Sequence, residues 1–456
     1  MMMLSEIASA LNTCLIGEDV SVLSVGTDSR HITKDQLFVA IKGENFDGNS
    51  YAVEAVRLGA SASLISDVDV KASPSILVKD TRLALGNLAH YWRQKFDLPL
   101  VAVTGSNGKT TVKEMIASIL IAAKGKVLAT EDNLNNDIGM PLSLLKIRAE
   151  HTCAVIEMGM NHEGEIRYLT NIAKPQVAVV NNAGTAHLGE LGSREAIARA
   201  KGEVFEGLAA DGVAVINVND DFAEYWQSLT QDKKTLTFGL DVDADVSAQY
   251  LTNNSRSIID LKTPEGRIEL SLGVLGKHNV SNALAAATVA VTLGISNADI
   301  ALGLNKFSGV SGRLNSLAGY QDAIVIDDTY NANENSMKAA VDVLASQKNS
   351  EHSRLIFVMG DMAELGDETK TMHAGIGDYA KKKGITYFFS FGEMSQLASK
   401  AFGSNAQHFE SIDSLVEVVK GHMSLATCVL VKGSRFMKME RVVKDIIKDK
   451  NFGSAH

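Results

Sequence analysis

Lys109, Thr110 and Thr111 stand directly after Gly105-Ser106-Asn107-Gly108, and the apolar stretch Leu100-Val101-Ala102-Val103-Thr104 leads into that loop. A strand, a glycine loop and a helix that opens on its lysine together make a phosphate cradle. Loop N–H groups and the positive helix end face the anion, the lysine reaches the outer phosphates, and a threonine hydroxyl can hold Mg²⁺. The common form of this loop has about four residues between its first glycine and the Gly-Lys pair. Here only Ser106 and Asn107 separate Gly105 from Gly108, so the loop is a shorter variant. The alternative is an ordinary strand-to-helix turn. A lysine in a first helical turn opposes the helix dipole, however, which favours a bound anion.

Further residues suited to a bound nucleotide recur where apolar stretches end. Glu157 closes Cys153-Ala154-Val155-Ile156 and opens Met158-Gly159-Met160-Asn161-His162-Glu163-Gly164-Glu165. A carboxylate there would face the cradle and suit Mg²⁺, which takes oxygen ligands; the alternative is a glutamate turned to water. His187, in Gly184-Thr185-Ala186-His187-Leu188, follows the next such stretch and reads as a site residue or as polar surface. Lys201 is more telling. If Ser193–Leu208 is one helix at about 100° per residue, Ile197, Val204 and Leu208 form an apolar stripe, and Glu195, Arg199, Glu203 and Glu206 gather opposite. Lys201 lies inside the stripe, so it must snorkel to water or enter a polar pocket. Desolvation lowers a lysine pKa by as much as ~3–5 units. A neutral amine can then take up CO₂ as a carbamate, turning a cation into a metal-binding anion.

Asn279 and Asn282 open another helix one turn apart, where their amides either cap it or read a base edge. Asp327-Asp328-Thr329-Tyr330-Asn331-Ala332-Asn333 ends a strand, and Arg313 and Lys432-Gly433-Ser434-Arg435 are the remaining cationic anchors.

The frame that must position these residues is an α/β chain of three domains: 1–98, a small mixed unit; 99–312, a parallel-sheet unit carrying the phosphate loop; and 313–456, a second α/β rhythm. In the first, strands are expected at 37–41, 62–66 and 75–78, and helices at 51–58 and 82–94. In the second, strands at 100–103, 126–129, 153–157, 177–181 and 212–217 alternate with helices at 111–123, 141–146 (Pro141 as first helical residue), 164–172 and 193–208. A hairpin of 257–261 and 267–272 follows, then helices at 279–293 and 297–305. In the third, strands are expected at 323–327, 355–359, 387–391 and 428–431, with helices at 335–346, 371–383 and 436–448. Ligands in such sheets sit at the carboxyl ends of the strands.

The chain has 456 residues, 45% hydrophobic and 21% charged, as expected of a globular protein with several cores. A net charge of −10 argues against nucleic acid as partner, so anion binding must come from local sites. Three scattered cysteines suit a reducing compartment, and no signal peptide or membrane span is read from the sequence. A cytoplasmic location is expected.

Taken together, these motifs resemble the Mur ligases, and within them the branch that adds D-alanyl-D-alanine to UDP-N-acetylmuramoyl-tripeptide. The likeness spans nearly the whole chain and rests on Thr104–Thr110, Glu157 in Glu-Met-Gly-Met-Asn-His-Glu-Gly-Glu-Ile, His187 in Gly-Thr-Ala-His-Leu, and Lys201 in Ala-Lys-Gly-Glu. It extends through the Gly-Lys-His-Asn-Val-Ser-Asn-Ala run, Gly312-Arg313, the 328–333 segment and the Lys-Gly-Ser-Arg motif. The short phosphate loop is that family's own form. Met158-Gly159-Met160 with Gly164-Glu165-Ile166 supports the dipeptide branch, and the diaminopimelate-reading Asp-Asn-Pro-Arg motif of a sister ligase is not found. One departure is Glu334, where the family usually has Pro, which puts the stiffness of that turn in doubt.

The resemblance implies a UDP-substrate domain, a central ATPase domain and a C-terminal Rossmann-like domain. It places the uridine end on Thr27, Asp28, Ser29 and Arg30 and on Lys42, Gly43, Asp47 and Gly48. The sugar-peptide would run along Asn133, Asn135 and Asn136, with Lys432, Ser434 and Arg435 as further substrate anchors. ATP would lie on 105–111, with adenine by Asn279 and Asn282 and the phosphates near Arg313, Asp328 and Asn331. Two Mg²⁺ ions are expected, one on Thr110 and Glu157, the other on His187 and carbamylated Lys201; Lys109 would act on the outer phosphates. The implied reaction passes through an acyl phosphate and is carried out by a monomer. A folylpolyglutamate synthetase-like ligase and a non-ligating nucleotide switch are the alternatives, and the N-terminal Asp-Ser-Arg and Lys-Gly-x-x-x-Asp-Gly segments favour the UDP substrate.

Overall fold

The computed structural model describes residues 1–252, 256–349 and 352–448, so the end of the third expected unit, 449–456, lies outside the described residues. Beyond a short pairing of Met2–Met3 with Ser21–Val22, it builds three sheets. The first contains β1 (Leu15–Ile16), β2 (Ser24–Gly26), β3 (Gln36–Val39), β4 (Ala62–Ile65) and β5 (Ser75–Leu77), in the order β1-β5-β4-β3-β2. All its pairings are parallel except that of the edge strand β1. Helix α1 (Thr81–Arg93) starts at Asp80, whose carboxylate accepts the Arg82 and Leu83 N–H groups.

Where α1 ends, buried Arg93 ties down the passage into the next sheet. Its guanidinium donates to the carbonyls of Phe96 (2.7 Å) and Leu98 (3.0 Å) and to Gln176 Oε1 (3.3 Å), which also accepts the Leu100 N–H. The link between the first two sheets is therefore pinned by a charge-assisted cluster.

The second sheet contains β6 (Leu100–Thr104), β7 (Val127–Ala129), β8 (Cys153–Glu157), β9 (Val177–Val180), β10 (Val213–Asn217), β11 (Lys234–Leu240), β12 (Val246–Thr252), β13 (Ser257–Thr263) and β14 (Gly266–Leu272). Their order is β14-β13-β12-β11-β10-β9-β6-β8-β7. β7 to β12 pair in parallel around β6, and the hairpin β13–β14 is appended antiparallel. β6 is buried throughout because it feeds two cores by alternation. Leu100 and Ala102 pack with Trp92, Leu144 and Ile156; Val101 and Val103 pack on Val112, Met115 and Ile116 of helix α2 (Lys109–Lys124). Each of the Val, Leu, Ile and Met side chains contributes about 1.5–3 kcal/mol when fully buried. The chain leaves β6 in both directions across the sheet, so the crevice at its carboxyl end lies at a topological switch point.

Around this sheet lie helices α3 (Glu165–Ala173), α4 (Arg194–Gly202) and α5 (Lys277–Thr292). Two expectations are corrected. The 193–208 helix breaks after Gly202 into a 3₁₀ segment, Glu203–Gly207, and Glu203 is buried instead of solvated. Its carboxylate is drawn inward by the start of α3, where it accepts the N–H groups of Gly164 (2.8 Å) and Arg167 (3.0 Å). Pro141 is the third residue of its helix, Gly139–Leu144; Asn136 caps ahead of it by accepting the Gly139 N–H. Strands β11 and β12 go beyond the sequence reading.

The third sheet contains β15 (Asn315–Ala318), β16 (Ile324–Asp328), β17 (Arg354–Gly360), β18 (Tyr387–Phe391), β19 (Ala406–Phe409) and β20 (Thr427–Lys432), in the order β15-β16-β20-β17-β18-β19, parallel except for β15. Helix α6 (Glu334–Ser346) begins at the departure from the family pattern. Asn333 and Ser336 form a reciprocal capping box, and Glu334, first in the helix, accepts Lys338 Nζ at 2.6 Å. A first-turn carboxylate and a full cap thus stiffen the turn that a proline would otherwise stiffen. Among the described residues no helix is long and apolar enough to cross a membrane.

Arg93→Ala should strip the guanidinium donors from the Phe96 and Leu98 carbonyls, at a cost of about 2 kcal/mol. Tryptic cleavage after exposed Lys95 should then accelerate roughly tenfold or more, and an unchanged digestion rate would contradict the clamp.

Candidate active site

The phosphate loop forms as its residues dictate. β6 ends at Thr104, and Gly108 takes φ 80°, the left-handed backbone that caps α2 without a side chain. A Cβ at Gly108 would stand 2.5 Å from Asn282 Oδ1 and 2.8 Å from Asn181 Nδ2. The loop is braced by amides: Asn182 Oδ1 accepts the Asn107 N–H (2.8 Å), and the side chains of Asn181 and Asn182 both donate to the Asn107 carbonyl (3.0 Å). Asn181 also donates to Asn282, Asn282 to Asn279, and Asn279 to the Leu275 carbonyl. Asn279 and Asn282 therefore brace the loop and the start of α5 while also lining the cleft described below.

Lys109 Nζ donates to the Gly105 carbonyl at 2.8 Å. Burial lowers its pKa against the pull of Glu157, and the nearby Arg313 charge adds to the lowering. Thr110 donates to Glu157 Oε2 (2.8 Å), while Asn135 donates to Glu157 Oε1 (2.8 Å). Arg313, stacked 4.1 Å from the Tyr330 ring centroid, donates to the Thr110 hydroxyl at 2.9 Å. A second bond crosses between the same two sheets' segments, from Asn333 Nδ2 to Asn107 Oδ1 (2.8 Å).

Lys201 is 2% exposed, and its ammonium has no hydrogen-bond or ion-pair partner among the described residues. Burial drives its pKa well below the ordinary value, and the Lys109 charge lowers it further. His187, itself at φ 64°, faces Glu364 from the third sheet, with Nδ1 3.1 Å from the carboxylate. That contact holds the Glu364 carboxyl below its usual range against the effect of burial. Asp328 pairs with buried Lys432 at 2.7 Å, and Lys432 also donates to the Asn331 carbonyl.

These groups line one cleft of about 1090 Å³ between the second and third sheets. It takes in Ser106, Asn107, Gly108, Lys109, Thr110, Thr111, Asn133, Asn135, Glu157, His187, Asn279, Asn282, Arg313, Asp328, Asn331, Lys432 and Arg435. Family models match along the chain in three consecutive blocks: "Mur ligase family, catalytic domain" over residues 21–93, "Mur ligase middle domain" over 103–290, and "Mur ligase, glutamate ligase domain" over 312–435. The chain belongs to the Mur ligase family. It is 41% identical to the UDP-N-acetylmuramoyl-tripeptide--D-alanyl-D-alanine ligase of Escherichia coli K12, over 97% of each chain. A crystal structure of MurF from Acinetobacter baumannii superposes with a TM-score of 0.89 at 36% identity, covering 97% of this chain and 98% of that one. MurF of Thermotoga maritima, solved in complex with ADP, gives 0.82 at 27% identity, covering 92% and 96%.

In this Mur ligase the remaining candidate residues lie outside the cleft. Gly105 and Lys201 are not among its lining residues, Asn136 caps a helix, and buried Ser434 donates to the Asp361 carbonyl. The N-terminal candidates form two loops on the first sheet. In one, following β2 with Thr27 and Ser29, Asp28 accepts both Nε and Nη2 of exposed Arg30. In the other, Lys42 pairs with Asp47, Gly43 donates to the Phe46 carbonyl, and a Cβ on Gly48 would meet the Ile41 carbonyl at 2.7 Å.

Glu364, Tyr330 and the Asn181–Asn182 pair enter the site without having been picked out in the sequence. All stand at or just beyond a strand end, the same signal that marked Glu157 and His187. For a metal, Thr110 and Glu157 offer adjacent hard oxygen donors that fit Mg²⁺. Among the described residues no group of three or more His, Cys, Asp or Glu side chains is gathered for an ion.

Gly108→Ala should force the loop away from Asn181 and Asn282 and weaken ADP binding at least about tenfold, since a side chain in left-handed backbone alone costs roughly 1–2 kcal/mol. Calorimetric titration with ADP checks this; undiminished affinity would refute the close-packed loop.

Proposed function

We infer that this Mur ligase joins D-alanyl-D-alanine to UDP-N-acetylmuramoyl-tripeptide at the expense of ATP, forming the UDP-muramoyl-pentapeptide precursor of peptidoglycan. The observation that carries the reading is the end-to-end match to a ligase of that specificity, with the phosphate loop and strand-end residues meeting in one cleft. The domain assignment follows: 1–98 for the UDP substrate, 99–312 for ATP, 313–456 for closing the ATP site and receiving the dipeptide. The first group would hold the uridine end through Thr27, Asp28, Ser29, Arg30, Lys42, Gly43, Asp47 and Gly48. Asn133, Asn135 and Asn136 would follow the sugar-peptide, and Lys432, Ser434 and Arg435 would anchor substrate from the third domain.

A carboxylate must be made electrophilic before an amine can join it in water. The tripeptide carboxylate attacks the terminal phosphorus of ATP, ADP leaves, and an acyl phosphate forms; the dipeptide amine then attacks the acyl carbon and inorganic phosphate leaves. Both steps gather negative charge, so the residues' work is positioning and electrostatic stabilisation. Lys109 leaves the Gly105 carbonyl for the outer phosphates, Asn279 and Asn282 lie beside adenine, and Arg313, Asp328 and Asn331 close the nucleotide site from the third domain. Thr110 and Glu157 would hold one Mg²⁺, and His187 with carbamylated Lys201 a second; bound there, the ions neutralise phosphate charge. The carbamate suits its surroundings, because a partnerless amine kept neutral beside the Lys109 charge becomes an anion attracted to it. Closure keeps water from the acyl phosphate. A monomer working in the cytoplasm, where ATP and a soluble nucleotide-linked substrate meet, completes the reading.

Phosphate release should require both the UDP-muramoyl-tripeptide and D-Ala-D-Ala and should match pentapeptide formation one for one. Mass spectrometry of products from diaminopimelate- and lysine-ended tripeptides reads this directly, whereas robust ATP hydrolysis without acceptors, or no covalent product, would sink the reading. Lys201→Ala should lose activity by at least roughly a hundredfold, the scale of losing one electrostatic group, with partial recovery in acetate. Near-full activity of that variant would exclude the carbamate.

A further inference from the structure

The proposed reaction brings an ammonium group into a site already crowded with positive charge. Lys109 and Arg313 both line the cleft. A D-Ala-D-Ala ammonium approaching the acyl carbon therefore needs a carboxylate partner of its own.

Four carboxylates line the cleft. Glu157 is engaged by Thr110 and Asn135, and Asp328 by Lys432. Asp342 accepts the Tyr379 hydroxyl and pairs with Lys383 at 2.6 Å. Glu157 and Glu364 have no lysine or arginine ion-pair partner among the described residues, but both oxygens of Glu157 are taken by neutral donors, whereas the one ionic contact of Glu364 is the His187 imidazole.

The position of Glu364 is also right for an amine. It lines the same cleft as Lys109, which marks the outer phosphates. Its backbone is held in the left-handed region (φ 61°) by a bond from the Gly189 N–H to its carbonyl (3.2 Å), two residues beyond His187. A Cβ on Gly189 would come within 3.2 Å of that same carbonyl oxygen, so glycine permits the approach. A non-glycine residue kept at positive φ by a neighbouring segment is a feature that clusters at functional sites.

We propose that the Glu364 carboxylate is the seat of the acceptor nitrogen, pairing with the ammonium end of the incoming dipeptide and holding it beside the acyl phosphate, where it attacks as the amine once it has given up a proton. The proposal rests on the ligase reading above. It makes the third domain's loop a determinant of the acceptor, independently of its role in closing over ATP.

Glu364→Gln keeps size and backbone contacts but removes the charge, and Glu364→Asp keeps the charge on a shorter arm. In Glu364→Gln the KM for D-Ala-D-Ala should rise about 10- to 100-fold, the scale of a hydrogen bond to a charged group. The KM values for ATP and the UDP-tripeptide should stay within roughly twofold, since they report other contacts. Glu364→Asp should fall between Glu364→Gln and the unaltered enzyme. Equilibrium dialysis of labelled D-Ala-D-Ala against enzyme loaded with UDP-tripeptide and a non-hydrolysable ATP analogue should show the same loss of affinity. An unchanged dipeptide KM and affinity in Glu364→Gln would overturn the proposal. So would an equal rise in KM for all three substrates, which would make Glu364 a domain latch instead. An unaltered enzyme that forms no pentapeptide would overturn the ligase reading and this proposal with it, whereas active enzyme with an indifferent Glu364→Gln would overturn this proposal alone.

Discussion

Positive charge held out of water at the end of one strand is the constraint on which the site depends. Lys109 and Arg313 meet at the phosphate loop in a chain whose net charge is −10, so the attraction for anions is local and owes nothing to the overall field. Burial works against Lys109, and the nearby carboxylates Glu157 and Glu364 offset only part of that cost. Phosphate groups supply what the protein leaves out. A bound nucleotide would replace the contact that Lys109 now makes with the Gly105 carbonyl.

Holding such charge requires a rigid surround, and the parallel sheet provides it. β6 is covered on both faces, so its carboxyl end cannot drift, and the amide web of Asn107, Asn181, Asn182 and Asn282 fastens the loop to the two neighbouring elements. The web is satisfied internally to a large extent, which is what lets polar side chains lie at the base of a buried site. The third sheet then reaches across with single residues. Arg313 meets Thr110, Asn333 meets Asn107, and Glu364 meets His187, so the cleft is complete only with both sheets present.

How much could be read beforehand varied with the kind of interaction. The strand–loop–helix at 100–124 and the buried stripe holding Lys201 were legible because both depend on neighbours within a few turns of chain. The β13–β14 hairpin was legible from its alternation about a turn. β11 and β12 were passed over although Leu236, Phe238 and Leu240, then Val246, Ala248 and Tyr250, alternate along them. Thr237, Gly239, Ser247 and Gln249 between those residues dilute the apolar signal. Glu203 was placed on the solvated face because helical phase carries no information about a second helix start nearby; α3 draws that carboxylate in.

The sequence by itself determined the phosphate loop, the alternation of strands and helices, and the family, since each is written in residues adjacent along the chain. Tertiary structure alone decided which carboxylate meets which cation. Arg313 stands 203 positions from Thr110 and Asn333 226 positions from Asn107, and no local pattern encodes such meetings. They follow from how two sheets pack, because a charge buried between them is tolerated only where the fold brings it a partner.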